Sequence, residues 1–377
     1  MMLPCYHYPS DASDLEWALL ERLLPTPACQ TPKGGAPEKW PRRRVVDSIR
    51  YIVDNGAKWR ALPADFGIPW RTVFGYFARW AKAGVLKWIF DQLRRRLRLR
   101  RRRCPLPVRV IVDSQSVKGA ETVSNATRGC DANKHINGRK RHLLVDQDGL
   151  LVDLLVTPAD VQDRDAARIL LTRLHAEHPE IVLVWADDSY GGEEFSTWAQ
   201  DTLGITIKVV PRPKDADGFV VLPKRWVIER SNSWTMRARR NARDYERLMA
   251  HAEAHIQWAF ITLMTRRLTR PRRQPETARS PSRQPPENLA SRTDQGRARV
   301  HPEDGACRKE ADMGPREEEL ALRHQAAILD AYADELERGY PCPWCGEPTV
   351  HFRDEPAGRN WCPFCDWDPP EPTNPDW

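Results

Sequence analysis

Val108-Arg-Val-Ile-Val-Asp113 is the stretch on which the fold turns: an apolar run of strand length ending in a carboxylate. A second run, Ile181-Val-Leu-Val-Trp-Ala-Asp187, repeats the arrangement. Both aspartates are expected at strand C-termini, the edge where open α/β sheets build ligand sites. A third acid, Glu229, follows Arg225-Trp-Val-Ile228 at the start of a helical stretch. Three carboxylates gathered by a fold repel one another unless a cation holds them, and hard oxygen donors suit magnesium or manganese. Phosphoryl transfer with two metals is the chemistry that uses such a site.

Working outward, the text from Val108 to about Arg267 alternates in an α/β manner. Strands are expected at Val108–Asp113, Arg139–Val145, Leu150–Thr157, Ile181–Ala186 and Ile205–Val210. The second and third are joined by the hairpin-type turn Asp146-Gln-Asp-Gly149. Helices are expected over Asp163–His175 and Glu193–Leu203, and a long helical region from near Ile228. Three consecutive strands followed by alternating helices and strands describe a mixed sheet. With acids after the first and fourth strands and on a late helix, the order is that of ribonuclease H-like folds.

Upstream, Val45, Ile49, Ile52 and Val53, then Val73, Phe74, Phe77 and Trp80, recur at helical spacing on either side of Gly67-Ile-Pro69. Two helices joined by a tight turn, with Arg71 and Arg79 exposed on the second, fit a helix-turn-helix DNA-binding module. The run Arg94 to Arg103 reads either as a solvated helix tail or as a basic linker lying along phosphates, dividing the first domain from the second. The cations Arg139, Lys140 and Arg141, after Gly138, sit beside the acidic edge where they could grip phosphates. His142 reads as a packed strand histidine.

The chain has 377 residues, room for two or three domains, and 59 Lys+Arg against 52 Asp+Glu, a formal charge of +7 that mildly favours a polyanionic partner. No segment reaches the roughly 18 to 20 apolar residues of a membrane span, so a cytoplasmic, nucleoid-associated protein is expected. The expected division is a helical DNA-binding domain over 1–93, the basic linker 94–107, a catalytic domain over 108–268, a disordered Pro/Arg/Gln/Ser-rich linker over 269–314, and a helix plus zinc ribbon over 315–377.

Six segments carry a family resemblance: Trp59 with Arg60-Ala-Leu-Pro-Ala-Asp-Phe66, Val112-Asp-Ser-Gln-Ser-Val-Lys-Gly119, Gly138-Arg-Lys-Arg-His142 leading into Val145-Asp146, Val161-Gln-Asp-Arg-Asp165, Ala186-Asp-Asp-Ser-Tyr-Gly191 and Arg225-Trp-Val-Ile-Glu-Arg230. Over about residues 13 to 267 they run in the order of the DDE transposases of bacterial insertion sequences, families four and five, which the chain resembles. The resemblance implies a ribonuclease H-like domain in which Asp113, Asp187 and Glu229 are catalytic acids holding Mg2+ or Mn2+. It prefers Asp187 to Asp188, because the family's second acid is followed by a small residue and then Tyr, here Ser189-Tyr190. It also implies DNA-phosphate contacts for Arg225 and Arg237. A Tyr that many members carry three residues before that first Arg is here Leu222.

Two knuckles, Cys342-Pro-Trp-Cys345 and Cys362-Pro-Phe-Cys365, stand sixteen residues apart and match a closed, structural four-thiolate zinc site. They lie outside the family pattern. The expected function is therefore metal-dependent cleavage of double-stranded DNA at terminal inverted repeats and strand transfer into a target, by a homodimer on DNA. The other reading is a non-catalytic DNA-binding regulator derived from a transposase.

Overall fold

The structure, a computed structural model, describes residues 8–32, 34–211 and 224–270 and the backbone of 350–351 and 360–361. Four helices come first: α1 (Asp14–Glu21), α2 (Arg42–Asn55), α3 (Trp70–Lys82) and α4 (Val85–Arg100). On α2 the helically spaced Val45, Ile49, Ile52 and Val53 are all buried, and the helix ends at Gly56, whose φ of 71° gives the left-handed turn that favours glycine. On α3, Val73, Phe77 and Trp80 are buried. The connector, residues 56–69, contains two 3-10 turns, Trp59–Ala61 and Ala64–Phe66. The tight turn expected at Gly67-Ile-Pro69 is thus the end of a longer excursion.

The sheet follows, with β1 (Arg109–Lys118), β2 (Gly129–Asp131), β3 (Ile136–Asp146), β4 (Leu151–Pro158), α5 (Asp163–Glu177), β5 (Leu183–Ala186), α6 (Glu193–Leu203) and β6 (Thr206–Val209), then α7 (Arg225–Arg237) and α8 (Met249–Thr269). β3 is antiparallel to β1 on one side and to β4 and β2 on the other. β1, β5 and β6 are parallel. This mixed α/β sheet behind N-terminal helices fits a ribonuclease H-like domain. Gly138 sits where β3 presses on β1: a Cβ there would lie 1.9 Å from the Val117 carbonyl oxygen.

Period-two alternation sends neighbouring residues of β1 to opposite faces. Val110 and Val112 pack with Leu170, Leu171 and Leu174 of α5 and Phe195 of α6. Ile111 faces the other way, into a larger core with Trp185 of β5, Phe90 of α4 and Trp258 and Ile261 of α8. Helix α8 lies between the sheet and the N-terminal helices, with Trp80 and Trp258 ring centroids 6.3 Å apart and Phe77 and His255 4.6 Å apart. Residues 12–93 therefore share one apolar core with the sheet.

Two expectations for basic segments are corrected by burial. Arg94–Arg103 is no linker along phosphates, because α4 continues through Arg100 and its arginines bind the protein itself. Arg94 is fully buried, donating to the Leu151 carbonyl at 3.0 Å and pairing with Asp91 at 2.9 Å. Arg98 donates to the Cys104 carbonyl and pairs with Asp146 at 2.8 Å. Arg101 and Arg103 reach Asp148 at 2.6 and 3.5 Å. A buried guanidinium needs partners, and Asp146 and Asp148 of the hairpin turn after β3 supply several of them.

Gly138-Arg-Lys-Arg141 is likewise internal. Arg139, fully buried, pairs with Asp244 at 3.3 Å and donates to the carbonyls of Thr127, Glu246 and Arg247. Arg141 donates to the Asn241 carbonyl at 2.6 Å, and Lys140 to that of Val161 at 2.9 Å. Arg139 and Arg141 hold residues 238–248, a 3-10 turn (Arg239–Asn241) followed by irregular chain, in the path that separates α7 from α8, where the sequence suggested one continuous helical region. None of the three presents its cation to a phosphate in this arrangement.

Among the described residues no helix is long and apolar enough to cross a membrane. In the C-terminal region β7 (Val350–His351) pairs antiparallel with β8 (Asn360–Trp361). The four cysteines of the expected zinc site, Cys342, Cys345, Cys362 and Cys365, lie outside the described residues, as does Leu222.

Candidate active site

The site begins with a register. In the parallel pair β1–β5, Ile111 is opposite Trp185, and both face the larger core. Two residues further along each chain stand Asp113 and Asp187, near enough for the charge of Asp187 to act on the Asp113 carboxyl. β5 ends at Ala186 while β1 runs on to Lys118, held by its pairing with β3. Asp113 is therefore mid-strand, beside the place where its parallel neighbour has stopped. It was expected at a strand end; the strand is longer because Ser114–Lys118 pair with Gly138–His142.

Helix α7 covers the pair. Ile228 and Val227 anchor it in the core, and Arg230 and Ser231 bolt it to the hairpin turn through the carbonyls of Asp148 (3.0 Å) and Gly149 (2.8 Å). The turn comes this close because Gly149 has a φ of 77° and no Cβ, which would sit 2.6 Å from the Ser231 hydroxyl. From α7 two side chains reach the aspartates. Arg225 lies 3.8 Å from Asp187, and the Asn232 amide donates to Asp113 Oδ2 at 3.1 Å. Glu229 is four residues after the first and three before the second, so all three share one helix face. Its carboxylate is exposed.

Electrostatics mark Asp113. Burial, and next the charge of Asp187, push its carboxyl up to about 7, against the Ser114 N–H, Lys134 and Arg225, which favour the ionised form. Tyr190, fully buried, is held well above its ordinary value by burial and by the neighbouring charges of Asp113, Asp163 and Asp187. Asp187 also caps the 3-10 turn that follows it, accepting from the Ser189 N–H at 3.0 Å and from the Ser189 hydroxyl. Asp188 is exposed.

Two adjacent carboxylates, one of which takes up a proton near neutrality, form a donor set that fits a hard divalent cation. The structure brings Asp113 and Asp187 together and places Glu229 on the helix face above them. Among the described residues no three His, Cys, Asp or Glu side chains are gathered closely enough to enclose a metal ion.

Of the basic residues singled out from sequence, Arg225 stands at the acids, while Arg71 and Arg79 are exposed on α3, stacked over Trp70 and Tyr76. Arg237 is exposed at the end of α7, off the acidic face, in a cleft described below. His142 is buried, bonded to Thr157 at 3.0 Å, and its imidazole is pushed down to about 4 by burial, so it packs as a neutral ring. Asn232 is the residue that sequence reading missed. Its helical spacing from Glu229 was visible, but its bond to Asp113, 119 positions away, was not.

Comparison with known families divides the chain as its architecture does. Residues 105–265, from just before β1 to late in α8, match the model for the "Transposase DDE domain". Residues 12–90, spanning the N-terminal helices, match the model for a "transposase of IS4/5 family". No curated protein matches the chain.

Proposed function

Since the chain belongs to the DDE transposases of the IS4/5 type, we propose that it cuts double-stranded DNA at the terminal inverted repeats of its own element and joins the freed 3′ ends to a target. The observation that carries this reading is the proximity of Asp113 and Asp187 beneath the α7 face that bears Glu229. Asp113 and Asp187 would hold Mg2+ or Mn2+, with Glu229 approaching from α7. When bound, such ions activate a water or a 3′-hydroxyl and stabilise the departing 3′ oxygen.

The chain's own residues supply the rest. Asn232 fixes one oxygen of Asp113, and Arg225 at 3.8 Å steadies the charge of Asp187 and is free to shift toward a phosphate when a cation takes over that task. Arg71 and Arg79 on α3 present cations for a flanking duplex, in the manner of a DNA-binding helix. Two ends must be held together for joining, so a dimer on DNA belongs to the same proposal. Four thiolates, Cys342, Cys345, Cys362 and Cys365, would hold a structural Zn2+ in the C-terminal region.

The test uses the full chain and duplex DNA carrying the repeats that flank its gene, with Mg2+ or with chelator. Strand cleavage is expected with Mg2+ only, and Asp113→Ala should abolish it while leaving binding to the ends intact. Cleavage that survives Asp113→Ala would remove the acidic site from the chemistry. Binding without cleavage by the unaltered protein would leave a DNA-binding regulator in its place.

A further inference from the structure

Three helices end at one cleft of about 250 Å³: α2 contributes Asp54, α7 Trp234 and Arg237, and α8 Arg266 and Arg267, with Arg270 just beyond. Arg50 also lines it, but its charge is taken by Glu16 at 2.8 Å. Four guanidinium groups thus face one carboxylate. Among the described residues none of the four makes an ion pair: Arg266 donates to the Pro9 carbonyl, and Arg267 lies over the Trp234 ring at 4.1 Å.

Cations at helix C-termini have an ordinary explanation, since each helix end carries the equivalent of about half a negative charge. Three such ends and Asp54 together offset fewer than three of the four cations, and Arg100 already caps the last carbonyls of α8. Arg267 itself is pushed down to about 10 by burial and then by Arg101 and Arg230, which lie outside the cleft, against Asp148 and Asp146, which favour its charged form. A surplus of guanidinium groups in a concave site, with an indole as its floor, suits a phosphodiester.

We propose that this cleft is a second DNA contact, holding a backbone phosphate of the duplex whose scissile bond lies at Asp113 and Asp187. The proposal rests on the function proposed above. Glu229 and Arg237 are eight residues apart on one helix, about 12 Å at 1.5 Å per residue. One strand of B-DNA spaces its phosphates by about 3.4 Å along the axis, so a duplex running along α7 would meet the cleft roughly three to four nucleotides from the cut. A single rigid helix then sets the distance between chemistry and grip.

The experiment measures binding of the full chain to a labelled random duplex of about 20 base pairs, without divalent metal, across salt from about 50 to 300 mM. The double variant Arg266→Gln/Arg270→Gln leaves Arg267 on Trp234. It is expected to weaken binding about 3- to 10-fold at intermediate salt and to reduce the slope of log affinity against log salt by about 1 to 2. Arg270→Gln alone, at an exposed position, gives the smaller change should the double variant melt early. Wild-type affinity and slope in folded variants would overturn the cleft assignment. Cleavage of element ends by the unaltered protein reports separately: cleavage intact with slope unchanged retires the cleft alone, whereas a slope change without cleavage retires the transposition chemistry and keeps the DNA contact.

Discussion

Asn232 donates from its side-chain amide to Oδ2 of Asp113 at 3.1 Å, tying the helix that carries Glu229 to the strand that carries the first aspartate. The carboxylate's position is thereby set from α7 and not only by β1. Groups that orient metal-holding carboxylates typically matter by about 10- to 100-fold in affinity or activity when removed. Asn232→Ala is expected to weaken Mn2+ binding, followed by titration calorimetry, and DNA cleavage by factors in that range, while DNA affinity without metal stays put. Metal affinity equal to that of the unaltered protein would show the contact to be packing only.

Asp113 gives a pH dependence with a definite sign. Its folded-state value of about 7 lies above the ordinary 3.8, so the folded chain binds the proton more tightly than the unfolded one. Its contribution to stability is complete below about 4 and is lost as pH rises through 7. Metal-free protein should melt at lower temperature as pH is raised over that window, and Asp113→Asn should flatten this part of the profile. Asp47, pushed up to about 6 by burial, acts in the same direction in both proteins and so does not affect the comparison. A profile for Asp113→Asn parallel to that of the unaltered chain would argue against a proton-sharing pair.

The hairpin turn between β3 and β4 is predicted to be a stability centre. Asp146 accepts from the N–H groups of Asp148 and Leu150 at 2.8 and 2.9 Å and pairs with the largely buried Arg98. Removing one partner of a buried pair leaves an uncompensated charge and costs about 3–5 kcal/mol. Asp146→Ala should lower stability on that order in a denaturant titration, and because the same turn anchors α7 through Arg230 and Ser231, it should impair cleavage as well. A loss under about 1 kcal/mol would mean that water or a neighbouring group satisfies Arg98.

Much of this was legible in the chain because the signals are local. Apolar runs ending in aspartate gave β1 and β5, and the segment Glu193–Leu203 emerged as α6 with the ends expected of it. The family segments around Asp113, Asp187 and Glu229 named the acids. What misled was charge. Arg94–Arg103 and Arg139–Arg141 read as phosphate contacts because a run of arginines in a sequence carries no record of its partners. Those partners, Leu151, Asp146, Asp148, Asn241 and Asp244, stand between 45 and 105 residues away.

Local periodicity thus determined most of the helices and strands, since each depends on neighbours within a few positions, and the family resemblance singled out the three acids. Only the tertiary structure decided which cations are spent inside and which stay exposed, because burial depends on what long-range packing places against each side chain. It also decided the site's shape: the parallel pairing of β1 and β5 brings Asp187 near Asp113, and the docking of α7 on a glycine turn brings Asn232 and Arg225 to them.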